Sequence, residues 1–386
     1  MRRDYNVGGG GTIDLSMVDV NGSKLSARYT ANCYVVKKAG AYMFPCVYGP
    51  GIINGSVNTT CYNNNKCKNY LGNRISNVYI NTDTGQTISS ASTRFVSSFS
   101  DFVISNVQLI SVDNMPFVYF EVTTFPTLNG NATIDIKDSS NRIMWSWHIW
   151  AYSDNINVFS YSKDYTTYRW MGVPLGLYST GNSTITYSMC YYQYAKKDPV
   201  VYVDSLKSGS FTISGSYATS MADVIKNPNY IYRGNNMTYW FATSDNDLSS
   251  FPSGAWVYAN KKMVFDPSPV HYMAGSVSAM DGWSVRQTSV NKAGYTINGY
   301  FFPQTDGFNV TSSISTFSLS TMVGATLNGN GQYYSGDFKS NAYSYSQCEG
   351  IQVSKSGNNA ITKYTRALSF SYSAHALIPI YNASIC

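Results

Sequence analysis

Between residues 30 and 160 the chain is built from short runs in which apolar and polar residues alternate. These runs are separated by Gly, Asn or Asp, and they cover residues 32–48, 75–81, 102–111, 117–123 and 132–137. Alternation with a period of two places apolar side chains on one face of a strand, so that this face is buried and the other stays polar. Repetition at this spacing predicts a β-sandwich-like domain.

Composition supports strands and argues against several partners. Charged residues make up 12% of the 386 residues, whereas tyrosine occurs 34 times, and abundant tyrosine with little charge favours strands joined by polar turns. The net charge of +6 is scattered in pairs such as Lys37-Lys38 and Lys196-Lys197, so we expect no nucleic-acid partner, which would need a clustered basic face. No apolar run approaches the roughly 20 residues of a membrane span.

The N-terminus and the cysteines bear on the compartment. Residues 1–13 predict a flexible Gly-rich arm, and they lack the apolar stretch of a secretory signal. The seven cysteines show no CxxC spacing, so we expect no zinc, no other metal and no cofactor. One or two disulfides among Cys33, Cys46, Cys61 and Cys67 would suit an oxidising compartment, and free thiols would suit assembly in the cytosol.

Two helices and a strand-rich C-terminal region are predicted beyond residue 160. A short helix is expected within Ala218–Asn227, with Ser220 as its N-cap and a stop before Pro228, and a second helix is expected over residues 276–290. Strands are expected at Gly294–Phe302, Asn309–Leu319, Gly331–Ser335, Ala342–Ser346, Arg366–Tyr372 and Ala376–Tyr381.

The run Trp145-Ser146-Trp147-His148-Ile149-Trp150 predicts a strand with two different faces. Period two places Trp145 and Trp147 on one face, and His148 and Trp150 on the other. One interpretation is an aromatic platform for a sugar. The favoured interpretation is framework, in which one face is core and the other packs against the next domain.

Five phrases in this chain resemble a family of surface proteins from Bacteroides-type gut bacteria and their phages. Residues 30–49 resemble "TANCYIV…AGTYKFPLVYGN", residues 143–150 resemble "LWSWHIW", and residues 191–199 resemble "YYQWGRKDP". Residues 225–230 with Trp240 are similar to "SIKNP…W", and residues 261–272 resemble "KTIYDPCP", although Asp-Pro-x-Pro is also ordinary turn chemistry. The latter half is similar to the Fibrobacter major paralogous domain, but residues 168–176 have lost the Asp-Arg-Asn of its "WMDRNLGA".

The resemblance implies a fold and a site. Together with the strand pattern and the Gly-rich start, it predicts a mainly β chain: the arm at 1–13, a β-sandwich-like domain at 14–160, and, from the resemblance, an α+β C-type-lectin-like domain with few short helices at 161–386. In such folds the terminal strand pairs back near the start of the domain, and the loops before it are displayed. Here those loops, residues 329–337 and 341–347, carry the predicted ligand-binding tyrosines Tyr333, Tyr334, Tyr343 and Tyr345.

Catalytic and metal-binding patterns are weak. The three histidines, His148, His271 and His375, lie far apart in sequence, and no GxSxG motif accompanies them. A carboxylate pair of the glycosidase type stays open, because such a pair needs only spatial proximity. Asp245-Asn246-Asp247 and Asp281 are calcium candidates, although loop or helix-cap roles are commoner for such residues. We therefore expect no enzyme activity.

The expected function is recognition at a virion surface. The chain is interpreted as a phage fibre or decoration subunit that binds a glycan or protein of a Bacteroides-type host, with other virion proteins as neighbours. We expect a homo-oligomer, for which a trimer is the commonest fibre solution. The alternatives are an extracellular adhesin or fimbrillin-like protein at a bacterial cell surface, and a capsule-degrading hydrolase.

Overall fold

A computed structural model describes most of the first 177 residues and selected segments after them. The described residues are 11–96, 101–127, 129–163, 166–177, 190–193, 195–199, 212–213, 218, 220–232, 255–258 and 260–275, followed by strands at 287–291, 294–297, 300–303, 331–340, 346–356, 360–368, 374–377 and 379–381.

These residues form many strands and few helices, which confirms the predicted mainly β fold. The strands up to residue 193 are β1 (Ile13–Asp14), β2 (Cys33–Val36), β3 (Gly40–Pro45), β4 (Ile52–Ile53), β5 (Ser56–Val57), β6 (Ser90–Val96), β7 (Val103–Val112), β8 (Met115–Thr124), β9 (Gly130–Lys137), β10 (Ile143–Ala151), β11 (Val158–Lys163), β12 (Thr166–Met171) and β13 (Tyr192–Gln193). The later strands are β14 (Thr212–Ile213), β15 (Tyr230–Ile231), β16 (Val257–Tyr258), β17 (Lys261–Lys262), β18 (Tyr272–Ala274), β19 (Gln287–Asn291), β20 (Gly294–Ile297), β21 (Tyr300–Pro303), β22 (Gly331–Ser340), β23 (Ser346–Ser356), β24 (Ala360–Leu368), β25 (Ala374–Leu377) and β26 (Pro379–Tyr381). The helices are α1 (Ile80–Thr84), α2 (Met221–Lys226) and single 3₁₀ turns at Leu15–Met17 and Thr59–Tyr62.

Two four-stranded sheets face each other in the N-terminal part. Sheet 1 has the order β1-β3-β8-β7, and sheet 2 has the order β2-β10-β9-β6. The alternation read from the sequence places Phe44 of sheet 1 toward sheet 2, where its ring lies 5.0 Å from that of Trp147 and 5.0 Å from that of Tyr34. Phe120 lies on the neighbouring strand β8, and its ring centroid is 6.1 Å from that of Phe44. Burial of these aromatic rings between the sheets is the main apolar contribution to this part of the fold.

The later strands form further sheets that join the same core. Sheet 3 has the order β11-β12-β26-β18, and sheet 4 has the order β13-β25-β22-β23-β24. The terminal strand β26 pairs Ile380 with Trp170 and with Met273, so the expected return of the last strand is confirmed. The domain boundary at residue 160 and the lectin-like detail stay predictions, and buried residues on both sides of that boundary form one continuous cluster.

The described chain begins within the predicted N-terminal arm at residues 1–13, and the arm itself stays a prediction. Residues 1–10 lie outside the described residues, but Ile13 already pairs with Tyr42 of β3. Asp14 then caps the following 3₁₀ turn, because its side chain accepts a hydrogen bond from Ser16 N. The ordered chain therefore begins before residue 14.

The strand predicted at residues 75–81 is wrong. Asp83 bends this segment, since its Oδ1 accepts hydrogen bonds from Ser76 N at 2.7 Å and from Asn77 N at 3.1 Å. Helix α1 follows, and Gly85 ends it in the left-handed region at φ 63°. Hydrogen bonds from backbone N–H groups to the Asp83 side chain therefore determine the local conformation, in place of the strand that the alternating pattern predicted.

One of the two predicted helices is confirmed. Ser220 Oγ accepts a hydrogen bond from Asp223 N at 3.1 Å, as expected of an N-cap, and α2 ends before Pro228. The helix predicted over 276–290 is wrong in its last part, because Gln287–Asn291 is strand β19, which pairs with β20 as a hairpin. Residues 276–286 lie outside the described residues.

The outcomes of the other strand predictions differ from one another. The predicted strand Gly294–Phe302 is the hairpin of β20 and β21, and Asn309–Leu319 lies outside the described residues. Strand β6 was not predicted, because its Ser, Thr and Arg residues weaken the apolar alternation. It pairs with β9 and forms the edge of sheet 2.

The described cysteines are unbonded thiols. Cys33, Cys46, Cys61, Cys67 and Cys190 are all buried and free, whereas Cys386 and the side chain of Cys348 lie outside the described residues. Within the described ranges, none of the helices combines the length and apolar character needed to cross a membrane.

Candidate functional site

The tryptophan strand β10 is buried on both faces. The exposed fractions of Trp145, Trp147 and Trp150 are 0%, 1% and 0%. Trp150 Nε1 donates a hydrogen bond to the carbonyl oxygen of Leu177 at 3.1 Å, which lies beyond the predicted domain boundary. A sugar platform needs an exposed ring face, so the platform interpretation is wrong and the framework interpretation is confirmed.

His148 lies on the second face of β10 in a closed polar cluster. Asn131 uses its Nδ2 to bond the Gly176 carbonyl, so its Oδ1 accepts from His148 Nε2 at 2.7 Å. The Tyr192 hydroxyl lies 3.2 Å from His148 Nδ1 and can donate to it. Burial lowers the pKa of His148 to about 3, so the ring is neutral with its proton on Nε2. These contacts assign His148 a framework role.

A second buried cluster on this face is charged. Asp198 bonds to Lys197 Nζ through Oδ2 at 3.0 Å, and its Oδ1 lies 3.4 Å from Arg94 Nη2 and accepts from the Ser146 hydroxyl. Arg94 Nε also pairs with Asp135 at 3.0 Å. Burial acts to raise the pKa of Asp198, but Lys197 and Arg94 lower it below the ordinary value. Burial raises the pKa of Asp135 despite Arg94.

This Asp198 cluster ties the segment after β13 to sheet 2. Its two cations and two carboxylates balance, which is the condition under which buried charges are tolerated. Lys197 Nζ also lies 4.5 Å from the ring centroid of Trp145, a cation–π contact. Lys196 Nζ bonds the Pro228 carbonyl at 3.3 Å, and Trp256 Nε1 bonds the Lys196 carbonyl at 3.0 Å. The segment is thereby fixed to the residues around α2 and β16.

Asn32 forms a neutral junction on the other side of β10. Its Nδ2 donates to the carbonyl oxygens of Val264 at 2.7 Å and Asp266 at 2.8 Å. Its Oδ1 accepts from Trp145 Nε1 at 3.0 Å, and its backbone carbonyl accepts from His148 N at 2.8 Å. One side chain thus joins the segments around residues 32, 145 and 265. Three of the phrases that carry the family resemblance therefore meet at this buried junction.

The Asp-Pro turn is held by local hydrogen bonds. Asp266 accepts from Ser268 N at 2.7 Å and from Ala274 N at 2.8 Å. Lys262 Nζ donates to the carbonyls of Ser268 and Pro269 at 2.8 Å and 2.7 Å. Burial raises the pKa of Asp266. Turn chemistry accounts for these contacts.

Partly exposed aromatic rings lie next to this turn and form the candidate binding site. The Tyr29 and Tyr381 rings lie edge-on to that of His271, with centroids 4.7 Å and 6.3 Å away. We name Tyr29, His271 and Tyr381 the aromatic cluster. Tyr272 is buried beside it, 5.4 Å from Tyr381. All three residues of the cluster are partly exposed.

Backbone and charge distinguish the aromatic cluster from ordinary surface tyrosines. His271 has φ 64°, a left-handed conformation that is uncommon for a residue with a side chain and is found at functional positions. Burial and then Lys262 lower its pKa, against an opposing effect of Asp19, so the imidazole is neutral at pH 7. Asp19 acts to raise the pKa of both His271 and Tyr272. Partly exposed aromatic rings suit sugar recognition.

Two of the four tyrosines predicted from the sequence lie on a described strand. Tyr333 and Tyr334 belong to strand β22 in the middle of sheet 4, where they pair with Ile351 and Gly350 rather than forming a loop. Their side chains, and all of Tyr343 and Tyr345, lie outside the described residues, so their binding role stays a prediction. Sequence reasoning missed Tyr29 and Tyr381 because only the fold brings them to His271.

The calcium candidates cannot be placed. Asp245, Asp247 and Asp281 lie outside the described residues. Within the part that the structure describes, no group of three or more His, Cys, Asp or Glu side chains is positioned to hold a metal ion.

Comparison with protein family models, with curated proteins and with solved structures finds no match to this chain.

Proposed function

We propose that this protein is a non-enzymatic surface subunit of a phage virion that binds a glycan or protein on a Bacteroides-type host. The observation that carries the binding role is the partly exposed aromatic cluster of Tyr29, His271 and Tyr381. The virion setting is supported by the family resemblance of the phrases that form the framework.

The aromatic cluster is preorganised, which favours binding. Tyr381 lies in β26, and His271 directly precedes β18, so both are fixed by the pairing of those strands. Tyr29 N donates to the Ser16 carbonyl at 2.8 Å, which fixes its backbone. Rings that are already held lose little conformational entropy on binding, so more of the contact energy is realised as affinity.

Repeated display strengthens this proposal. A single aromatic surface of this size gives weak binding, whereas several copies on one particle gain avidity without new contacts. A homo-oligomeric fibre or decoration subunit, with a trimer as the expected form, would supply those copies.

The test compares the two partly exposed tyrosines of the aromatic cluster with a more exposed tyrosine outside it. The variant Tyr29→Ala/Tyr381→Ala should lose at least tenfold in binding to intact Bacteroides-type cells and to the glycans that the wild type binds on an array. Tyr258→Ala is the control, because Tyr258 is 54% exposed and has no contact in the aromatic cluster. Thermal unfolding of all three proteins shows whether the folds match.

Two results would overturn the proposal. One is unchanged binding by the double variant together with loss in Tyr333→Ala/Tyr334→Ala/Tyr343→Ala/Tyr345→Ala, which would move the site to the tyrosines predicted from sequence. The other is release of shorter sugars from purified capsule, which would make the protein a hydrolase.

A further inference from the structure

A groove of about 490 Å³ lies between helix α1, the loop that follows it and the tip of the β7–β8 hairpin. Residues from two segments line it: Asn81, Thr82, Gly85, Gln86, Thr87 and Ile88 on one side, and Ile110, Ser111, Asn114 and Pro116 on the other. None of these residues belongs to the aromatic cluster. We name this feature the hairpin groove.

The chemistry of the hairpin groove is neutral throughout. Every lining residue is uncharged, and the polar ones carry amide or hydroxyl groups that can both donate and accept hydrogen bonds. Ile88, Ile110 and Pro116 add apolar surface. Amides and hydroxyls beside apolar surface suit a neutral sugar, whose hydroxyls need paired donors and acceptors and whose C–H faces need an apolar contact.

Both walls of the hairpin groove are fixed by tight turns. Gly85 ends α1 at φ 63°, and Asn114 occupies the hairpin tip at φ 63° after Asp113 at φ 49°. Two successive left-handed residues define a two-residue hairpin turn of the type favoured by strand twist. The groove is thus preformed, as ligand sites usually are.

An unpaired acceptor gives independent evidence for a ligand. Asn81 Oδ1 is shielded from solvent and has no hydrogen-bond partner among the described residues. A buried polar atom without a partner costs free energy, so it needs a reason to be retained. Asn81 is also a poorer helix former than alanine at this position in α1. A ligand donor that reaches this oxygen would supply the reason.

We propose that the hairpin groove binds a neutral oligosaccharide, with Asn81, Gln86 and Asn114 supplying the hydrogen bonds. An acidic sugar is disfavoured because none of the lining residues is a cation. The proposal adds a second site to the proposed function and names its ligand class. It uses no residue of the aromatic cluster, so either site can fail without the other.

The experiment uses the full chain and defined sugars. Neutral hexasaccharides of glucose, mannose, galactose and N-acetylglucosamine are compared with hexagalacturonate by calorimetry, and hydrogen exchange locates the protected peptides. We expect a neutral sugar to slow exchange in peptides containing residues 81–88 and 110–116. Ser111→Trp, which fills the groove, should weaken that binding at least tenfold.

Two further variants separate binding from folding. Thr124→Trp is the matched control for Ser111→Trp, because Thr124 is exposed at the opposite end of β8 from the hairpin tip. Asn81→Ala should weaken sugar binding about tenfold while leaving the melting temperature unchanged or raising it. A residue with only a structural role would lower the melting temperature instead.

Three outcomes would overturn the proposal. They are equal binding of hexagalacturonate, absence of protection at the groove with every neutral sugar, and unchanged affinity in Ser111→Trp. Protection of the groove only by an extended peptide, pairing with the edge strand β7, would assign the groove to a protein partner instead. The aromatic-cluster variants should bind the groove sugar normally.

Discussion

The Asn32 junction and the Asp198 cluster attach distant parts of the chain to the same strand, β10, by opposite means. Asn32 uses one neutral amide to bond two carbonyls and an indole N–H. Asp198 uses a carboxylate held by Lys197 and Arg94. Both junctions are almost fully buried.

The two junctions differ in the free energy of burying their polar groups. A neutral amide exchanges hydrogen bonds with water for equivalent ones in the protein, so its net contribution is favourable once every partner is satisfied. Buried charges lose far more hydration, and their mutual attraction only offsets that loss. We infer that the Asn32 junction stabilises the fold, whereas the Asp198 cluster chiefly specifies which segment packs there.

The largest expected effect follows from Asn32→Leu. This change keeps the γ-branched shape but leaves the carbonyls of Val264 and Asp266 and the Trp145 N–H without their partner. At about 1–3 kcal/mol for each unsatisfied buried group, with some relaxation, the free energy of unfolding should fall by roughly 3–6 kcal/mol. Urea unfolding measures it. The exposed Asn73→Leu serves as control, with a change of about 0.5 kcal/mol or less. Equal losses in the two variants would contradict the special role of Asn32.

The next effect tests the charged cluster. Asp198→Ala leaves the Lys197 ammonium buried beside Arg94 without its carboxylate, so we expect a loss of about 3–5 kcal/mol in urea unfolding. Replacing both partners, as in Lys197→Met/Asp198→Leu, should recover most of that loss, because Arg94 keeps Asp135. A double variant as unstable as the single one would show that the ion pair itself stabilises the fold, and the contrast with Asn32 would disappear.

The smallest effect concerns pH. The unfolded chain carries an ordinary His148 imidazole with a pKa near 6.5, whereas burial lowers the folded pKa to about 3. Between those values the unfolded chain binds the extra proton, so stability is present above pH 6.5 and is lost as the pH falls. Acidification from pH 6.5 to about 4.5 should cost roughly 2 kcal/mol from this group. His148→Gln should remove that dependence in urea unfolding measured across the range, and an unchanged slope would place the titration elsewhere.

The strands of the two facing sheets could be predicted because alternation with a period of two is a property of neighbouring residues in the sequence. Strand β9 was predicted with turn residues at both ends, and the framework role of β10 followed from the phrase it belongs to. The segment 75–81 failed for a local reason of another kind: Asp83 captures two backbone N–H groups that a strand would have used elsewhere.

The candidate site could not be predicted in the same way. Tyr29, His271 and Tyr381 are separated by hundreds of residues, and only the pairing of β26 with β18 brings the last two together. A contact between residues so far apart in the sequence produces no local sequence pattern. The hairpin groove has the same character, since residues 81–88 and 110–116 meet only through folding.

Burial of the cysteines limits the reactivity of their thiols. Burial raises the pKa of Cys33, Cys46, Cys61 and Cys190, which keeps their reactive thiolate forms scarce. These four thiols therefore react slowly with oxidants while the protein is folded. The same thiols become reactive when the core unfolds, so thiol modification marks the molecules that have unfolded.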